Sequence, residues 1–151
     1  MRLFIDGDGC PNCREIIDLA CNYGIEVKLF IDYAHYLEDE RIEVIMCEVG
    51  KDSVDLQIVS MIEEGDLLIS QDYGLASLAL TKGAKVLHVS GKRISEDNIN
   101  NLLESRYLGH LARKQNKHLK GPKKRDYKTV QYFLRELEKL FIEDMLKDDA
   151  D

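Results

Sequence analysis

The chain has 151 residues with 21 basic and 28 acidic side chains, a net charge of −7, enough length for one domain with a sizeable core. Apolar residues at 44%, charged residues at 32% and two prolines exclude a disordered or fibrous chain, and no apolar run approaches the ~18 residues of a membrane span. Asp6 interrupts any leader-like apolar stretch, so Cys10, Cys13, Cys21 and Cys47 read as reduced thiols of a cytoplasmic protein, not as a disulfide scaffold.

In chain order, residues 3–6 form a short apolar strand that ends in the breaker Asp6-Gly7-Asp8-Gly9. Pro11 is expected as the first helical residue, followed by an apolar face of Ile16, Ile17, Leu19, Ala20 and Tyr23 that Gly24 closes. Residues 26–31 and 42–49 read as the second and third strands. Asp52 can cap a helix carrying Val54, Ile58, Val59, Met61 and Ile62, stopped by Gly65. A fourth strand at 66–70, a helix at about 72–82 ending at Gly83, and a fifth strand at 85–89 complete the alternation. No strand is expected beyond residue 89. A helix over 95–111 puts Ile99, Leu102, Leu103 and Leu108 on its apolar face, and a last helix over 127–145 turns Val130, Phe133, Leu134, Leu137, Leu140 and Phe141 inward, with an acidic tail behind it. The pattern predicts an α/β fold in residues 1–151 as one domain: a three-layer sandwich around a mostly parallel five-stranded sheet, with two extra C-terminal helices.

Charge is unevenly placed. Residues 106–128 carry Arg106, Arg113, Lys114, Lys117, Lys120, Lys123, Lys124, Arg125 and Lys128 against Asp126 alone. A solvated charged face accounts for such a run without any ligand; a nucleic-acid contact is the functional alternative.

The carboxylates share one position in the predicted fold. Asp6 and Asp8 follow the first strand, Asp52 and Asp55 open the helix after the third, and Asp72 follows the fourth. In an open parallel sheet these points lie along the carboxyl edge, where such folds place their sites. Carboxylates gathered there repel one another unless some hold protons or a cation lies among them. Hard oxygen donors suit Mg²⁺ or Mn²⁺. For any single residue a helix cap or turn suffices as explanation; Asp52 and Asp72 each fit a cap, and Asp-Gly-Asp-Gly is an ordinary turn. Only the convergence of three elements raises the metal reading above that.

Cys10-Pro11-Asn12-Cys13 follows a strand and opens a helix, the placement of a redox dithiol, since a helix N-terminus lowers a thiol pKa. The second proline that a thioredoxin-like fold keeps opposite its cysteines is missing there, because Pro122 follows all five strands. Cys21 and Cys47 form no second close pair, which weakens a four-cysteine zinc site.

Three segments resemble the YaiI/YqxD family of uncharacterised bacterial proteins: Asp6-Gly7-Asp8-Gly9-Cys10-Pro11, Gly50-Lys51-Asp52-Ser53-Val54-Asp55, and Gly65-Asp66-Leu67-Leu68-Ile69-Ser70-Gln71-Asp72-Tyr73-Gly74-Leu75-Ala76. Lys82-Gly83-Ala84 and Gly121-Pro122 also fall where that family has them. The resemblance implies a PIN-like domain, a fold of metal-dependent nucleases with clustered acids, and carries over to Asp6, Asp8, Asp52, Asp55 and Asp72. Gly7 and Gly9 replace alanines of the family pattern and are expected to loosen the first loop; Cys13 lies outside the pattern and reads as incidental.

These readings combine into an expected metal-dependent ribonuclease. Asp6, Asp8, Asp55 and Asp72 would be catalytic, with Asp52 among the ligands of one or two Mg²⁺ or Mn²⁺ ions. Lys51, Lys92, Arg93, Lys123, Lys124 and Arg125 would contact phosphates, and Tyr73 would stack on a base. The alternatives are a PIN-like nucleic-acid-binding module without turnover and, as the other enzyme class, a Cys-x-x-Cys oxidoreductase.

Overall fold

The computed structural model describes residues 1–7, 10–32, 37–49, 53–115 and 126–150. In chain order the elements are β1 (Arg2–Asp6), α1 (Cys13–Asn22), β2 (Glu26–Asp32), β3 (Glu43–Cys47), α2 (Ser53–Met61), β4 (Leu67–Ser70), α3 (Tyr73–Thr81), β5 (Lys85–His88), β6 (Arg93–Ile94), α4 (Ile99–Gln115) and α5 (Tyr127–Ala150). They build one sheet in the order β3-β2-β1-β4-β5-β6. The first five strands run parallel, and β6 returns antiparallel on β5, with Val86 opposite Ile94 and Leu87 opposite Arg93.

The expected five strands are therefore six among the described residues. At two residues β6 is too short to show any alternation, and only the turn before it marks the reversal. There Gly91 has φ +93°, and a Cβ on it would stand 2.5 Å from the Tyr132 ring of α5. A second correction concerns the first helix. Pro11 and Asn12 lie in a turn, Asn12 takes the N-cap position without a side-chain bond, and Cys13 is the first helical residue.

Parallel strands covered on both faces are apolar at successive positions. In β1, Leu3, Phe4 and Ile5 are all fully buried, and their alternation sends them to two separate cores. Leu3, Ile5, Leu29 and Ile69 meet Ile16 and Ile17 of α1 and Phe133, Leu137 and Phe141 of α5. On the other face Phe4, Phe30, Leu68 and Val86 meet Val54 and Ile58 of α2, Leu75, Ala76 and Ala79 of α3, and Ile99 of α4. The three-layer arrangement is thus present, and the two C-terminal helices cover opposite faces. Leu108 departs from its expected place and is 55% exposed. Nine residues at about 100° each turn it half a circle from Ile99, so it cannot share that helix's buried face.

Strands run outward from β1 toward β3 on one side and from β4 toward β6 on the other, so the winding reverses between β1 and β4. Doubly wound sheets open a crevice at that reversal, beyond the carboxyl ends of the strands. Gly7 stands there for close approach rather than for looseness. A Cβ on it would lie 2.7 Å from the Phe30 carbonyl oxygen and 2.2 Å from an Ile31 methyl, so Gly7 itself is pressed onto β2; Gly9 lies outside the described residues. Gly7→Ala should destabilise the fold by about 1–3 kcal/mol, a fall in melting temperature of several degrees that thermal denaturation followed by circular dichroism would read.

Candidate active site at the carboxyl edge of the sheet

Register decides which polar residues meet at the crevice. Ile5 is paired with Ile69, Asp6 with Phe30, and Ser70 with His88. Asp6 shares its face with Phe4, Ser70 with Leu68 and His88 with Val86, so all three point to the side covered by α2 and α3. Asp6 is 5% exposed and Ser70 only 1%. The Ser70 hydroxyl donates to Asp6 Oδ2 at 2.8 Å and accepts the Asp72 backbone N–H at 2.9 Å. With that N–H on its oxygen, the hydroxyl proton is turned toward Asp6 and holds the carboxylate as an acceptor.

Asp72 caps α3, its Oδ1 accepting from the N–H groups of Gly74 at 2.8 Å and Leu75 at 3.2 Å. The cap reading of this residue is realised, through one oxygen. No described residue hydrogen-bonds its Oδ2. The cap thus occupies one carboxylate oxygen and leaves the other outside it. Asp55 is half-buried in the first turn of α2, the helix that follows β3 in the chain. Asp8, Asp52 and Lys51 lie outside the described residues, as do Lys123, Lys124 and Arg125.

Two neighbours of Asp6 were missed in the sequence. Asp32 ends β2 at 8% exposure, two residues beyond the partner of Asp6 and on the same face, opposite Cys47. Its signal was present as a repeated tripeptide, Phe4-Ile5-Asp6 and Phe30-Ile31-Asp32, each closing a strand of the same sheet. Ser70 carried no such signal, because its value follows from the β1–β4 register alone. His88 completes the row. The Tyr73 ring lies 5.2 Å from the His88 ring at 34°, and His88 Nδ1 accepts the Ser90 N–H at 3.1 Å. Tyr73, expected to stack on a base, therefore has one ring contact within the protein.

The predicted cations separate. Lys92 is exposed in the β5–β6 turn, where its carbonyl accepts the His88 N–H at 2.9 Å, and so sits at the carboxyl edge. Arg93 does not serve there: it lies across from Leu87, within the sheet's edge strand, and spends its fork on Glu143 of α5 at 3.1 and 2.9 Å. Glu136 lies 3.6 Å away, and the hydrogen bonds that Arg93 donates to Glu143 raise its pKa above the usual value. That arginine pins α5 to the edge strand. A similar structural role accounts for Asp66, buried at the opposite edge, where Arg2 grips both its oxygens at 3.0 and 2.6 Å.

All the oxygens gathered near Asp6 are carboxylate or hydroxyl, the donor chemistry that Mg²⁺ and Mn²⁺ prefer. Among the described residues, no three His, Cys, Asp or Glu side chains form a group that could hold a metal ion. The described residues alone would not complete a centre at this edge; of the expected ligands, Asp8 and Asp52 lie outside them.

The cysteines form a separate feature. The Cys13 thiol donates to the Cys10 carbonyl at 3.1 Å, and neither cysteine is in a disulfide. A hydrogen bond with the Cys10 side chain, distinct from the one to its carbonyl, lowers the Cys13 pKa against burial and the nearby carboxylates of Glu15 and Asp6. Cys13→Ser keeps a donor for that carbonyl, so it should leave any hydrolytic rate within about twofold of wild type; a large loss in a rate assay would point to thiol chemistry.

Comparison with known proteins gives a consistent set of matches. The model of the family described as "Uncharacterized BCR, YaiI/YqxD family" matches residues 4–143. The UPF0178 protein of Natranaerobius thermophilus is 42% identical over 126 residues, covering 83% of this chain and 86% of its own. The UPF0178 protein of Bacillus cereus (strain G9842) is 43% identical over 126 residues, covering 82% and 86%. Among solved structures, that of Rae1 (YacP) from Bacillus subtilis (W164L mutant) aligns over 100% of both chains at 18% identity with a TM-score of 0.42, a likeness too low to assign fold or function. No described helix is long and apolar enough to cross a membrane.

Proposed function

We propose that this chain, which belongs to the YaiI/YqxD family, is a metal-dependent phosphodiesterase that cuts RNA at the crevice between β1 and β4, in the manner of PIN-like nucleases. The observation that carries the reading is the buried Asp6, held as an acceptor by Ser70 and joined through that serine to Asp72. A phosphodiester carries a negative charge, and Asp6, Asp32 and Asp72 would repel it from an edge that lacked a cation. Asp6 and Asp72, with Asp8 or Asp52, would hold Mg²⁺ or Mn²⁺. When bound, such an ion supplies positive charge against the phosphate oxygens and lowers the pKa of adjacent water.

The protein's own groups then divide the work. Ser70 donates its hydroxyl to the Asp6 carboxylate and so holds that side chain in place. Asp72 takes its orientation from the first turn of α3, through the cap. Lys92, exposed at the same edge with no carboxylate partner among the described residues, is placed to meet a phosphate oxygen. Burial of Asp6 and Ser70 limits competing water and strengthens the hydrogen bond between them.

The test is cleavage of an end-labelled single-stranded RNA in Mn²⁺ and in excess chelator. Products that form with the ion and disappear with chelator support the reading. Tight binding with no product under either condition would leave the non-catalytic module in its place.

A further inference from the structure

Between Glu104 and Asp126 lie eight of the 21 basic residues, two of the four histidines and none of the 28 acidic residues. In a chain of net charge −7 this is a strongly positive stretch, and its described part is the C-terminal half of α4. That helix buries Ile99 and partly buries Leu102 and Leu103 against the α3 side of the sheet. Beyond them the core contacts end. Arg106, Tyr107 and His110 are exposed, Tyr107 at 62%.

These side chains share a face. Positions 103, 106, 107, 110 and 113 recur at three- and four-residue spacing, and together they line a shallow groove of about 390 Å³. Gly109 lies beside it. A Cβ there would stand 3.3 Å from Arg113 Nη1, so the missing side chain leaves room for that guanidinium to fold back along the helix. No carboxylate pairs with Arg106 or Arg113 among the described residues, whereas Arg2, Arg41 and Arg93 are each ion-paired. An arginine pair without acidic partners, lining one groove with an exposed tyrosine, has the chemistry of a strand-binding face: guanidinium for phosphate and ring for base.

We infer that this face of α4 is a docking surface for single-stranded nucleic acid, with Arg106 and Arg113 on successive phosphates and Tyr107 against a base. The inference deepens the RNA reading above by naming where the strand is held outside the crevice. An acidic protein or an anionic lipid surface would also be attracted to the charge, but neither would make use of an exposed ring beside the two guanidinium groups.

The experiment is fluorescence anisotropy on the full chain with a labelled oligouridylate of about twelve nucleotides, titrated across salt concentrations. Heparin serves as a base-free polyanion, and an oligothymidylate tests the sugar. The variants are Tyr107→Ala and the pair Arg106→Gln with Arg113→Gln, all at positions outside the buried core. Removing the two arginines should weaken both the oligonucleotide and heparin, and should flatten the salt slope for the strand by roughly 0.7 per arginine. Tyr107→Ala should weaken the oligonucleotide about tenfold and heparin hardly at all, since only the strand stacks. Binding of either the ribo- or the deoxy-strand with this pattern supports the inference. A wild-type chain that binds neither strand, arginine variants that bind like wild type, or a Tyr107→Ala variant that loses heparin and oligonucleotide equally would overturn it. The readout is binding, so a chain that docks RNA through α4 and cuts nothing supports this inference while ending the hydrolase reading.

Discussion

Asp6→Asn is expected to lower metal-dependent cleavage of single-stranded RNA by at least about a hundredfold, in a protein that still folds. The amide keeps the side-chain shape and one oxygen that can accept the Ser70 hydroxyl, so the buried contact at 2.8 Å survives. What disappears is the charge. A carboxylate 5% exposed in a crevice supplies a ligand or proton acceptor that no solvent group replaces, and losing a positioned group of this kind costs roughly 10² to 10⁴ in rate. The apo variant should melt within about 1 kcal/mol of wild type, because one of several mutually repelling carboxylates is gone. Initial rates in Mn²⁺ beside circular dichroism spectra separate the two effects. Equal rates in variant and wild type would remove Asp6 from the chemistry.

Phe141→Ala should be the most damaging single truncation of the core, at about 3–5 kcal/mol. Phe141 is fully buried, sits 5.8 Å from the Tyr23 ring of α1, and packs with Phe133 and Leu137 on the face opposite the crevice. Domains of this size hold roughly 5–15 kcal/mol in all, and each kcal/mol moves the melting temperature by about 2–4 °C. A drop of roughly 10 °C or more is therefore expected in calorimetry. The result would show that α5 completes the sheet's covering and is no accessory tail; a drop of under about 2 °C would mean that the helix contributes little to the core.

Much of this architecture is legible in the residues. Unbroken apolar strands such as Leu3-Phe4-Ile5, buried on both sides, announce a parallel sheet, and the acidic residues at their ends lie where the topology puts its crevice. The misses have physical causes. β6 pairs through backbone over two residues, so side-chain pattern could not reveal it. Arg93 belongs to a cation-rich sequence, and its true partner Glu143 stands 50 positions away, visible only once α5 is folded against the edge strand. Ser70 matters because the register sets it against Asp6, a relation between two strands that neither strand contains. Asp32 is the instructive omission, since its Phe-Ile-Asp ending repeats that of β1. Strand ends, read as a set across the sheet, would have found it.

The same logic separates caps from ligands. Asp72 satisfies the cap requirement completely with Oδ1, so local sequence and local geometry are both content with the bland explanation. Only its link through Ser70 to a buried carboxylate on another strand gives it a place in a shared site.

The central claim, that Asp6 and Asp72 belong to one cation-binding edge, is tested most directly by melting wild type, Asp6→Asn and Asp72→Asn with and without Mn²⁺. An ion that binds the folded state raises its stability by an amount set by the ratio of free ion to Kd. The account predicts a clear rise in wild type with Mn²⁺, and a rise largely abolished in both variants. Equal shifts in all three proteins, or none in wild type, would contradict it.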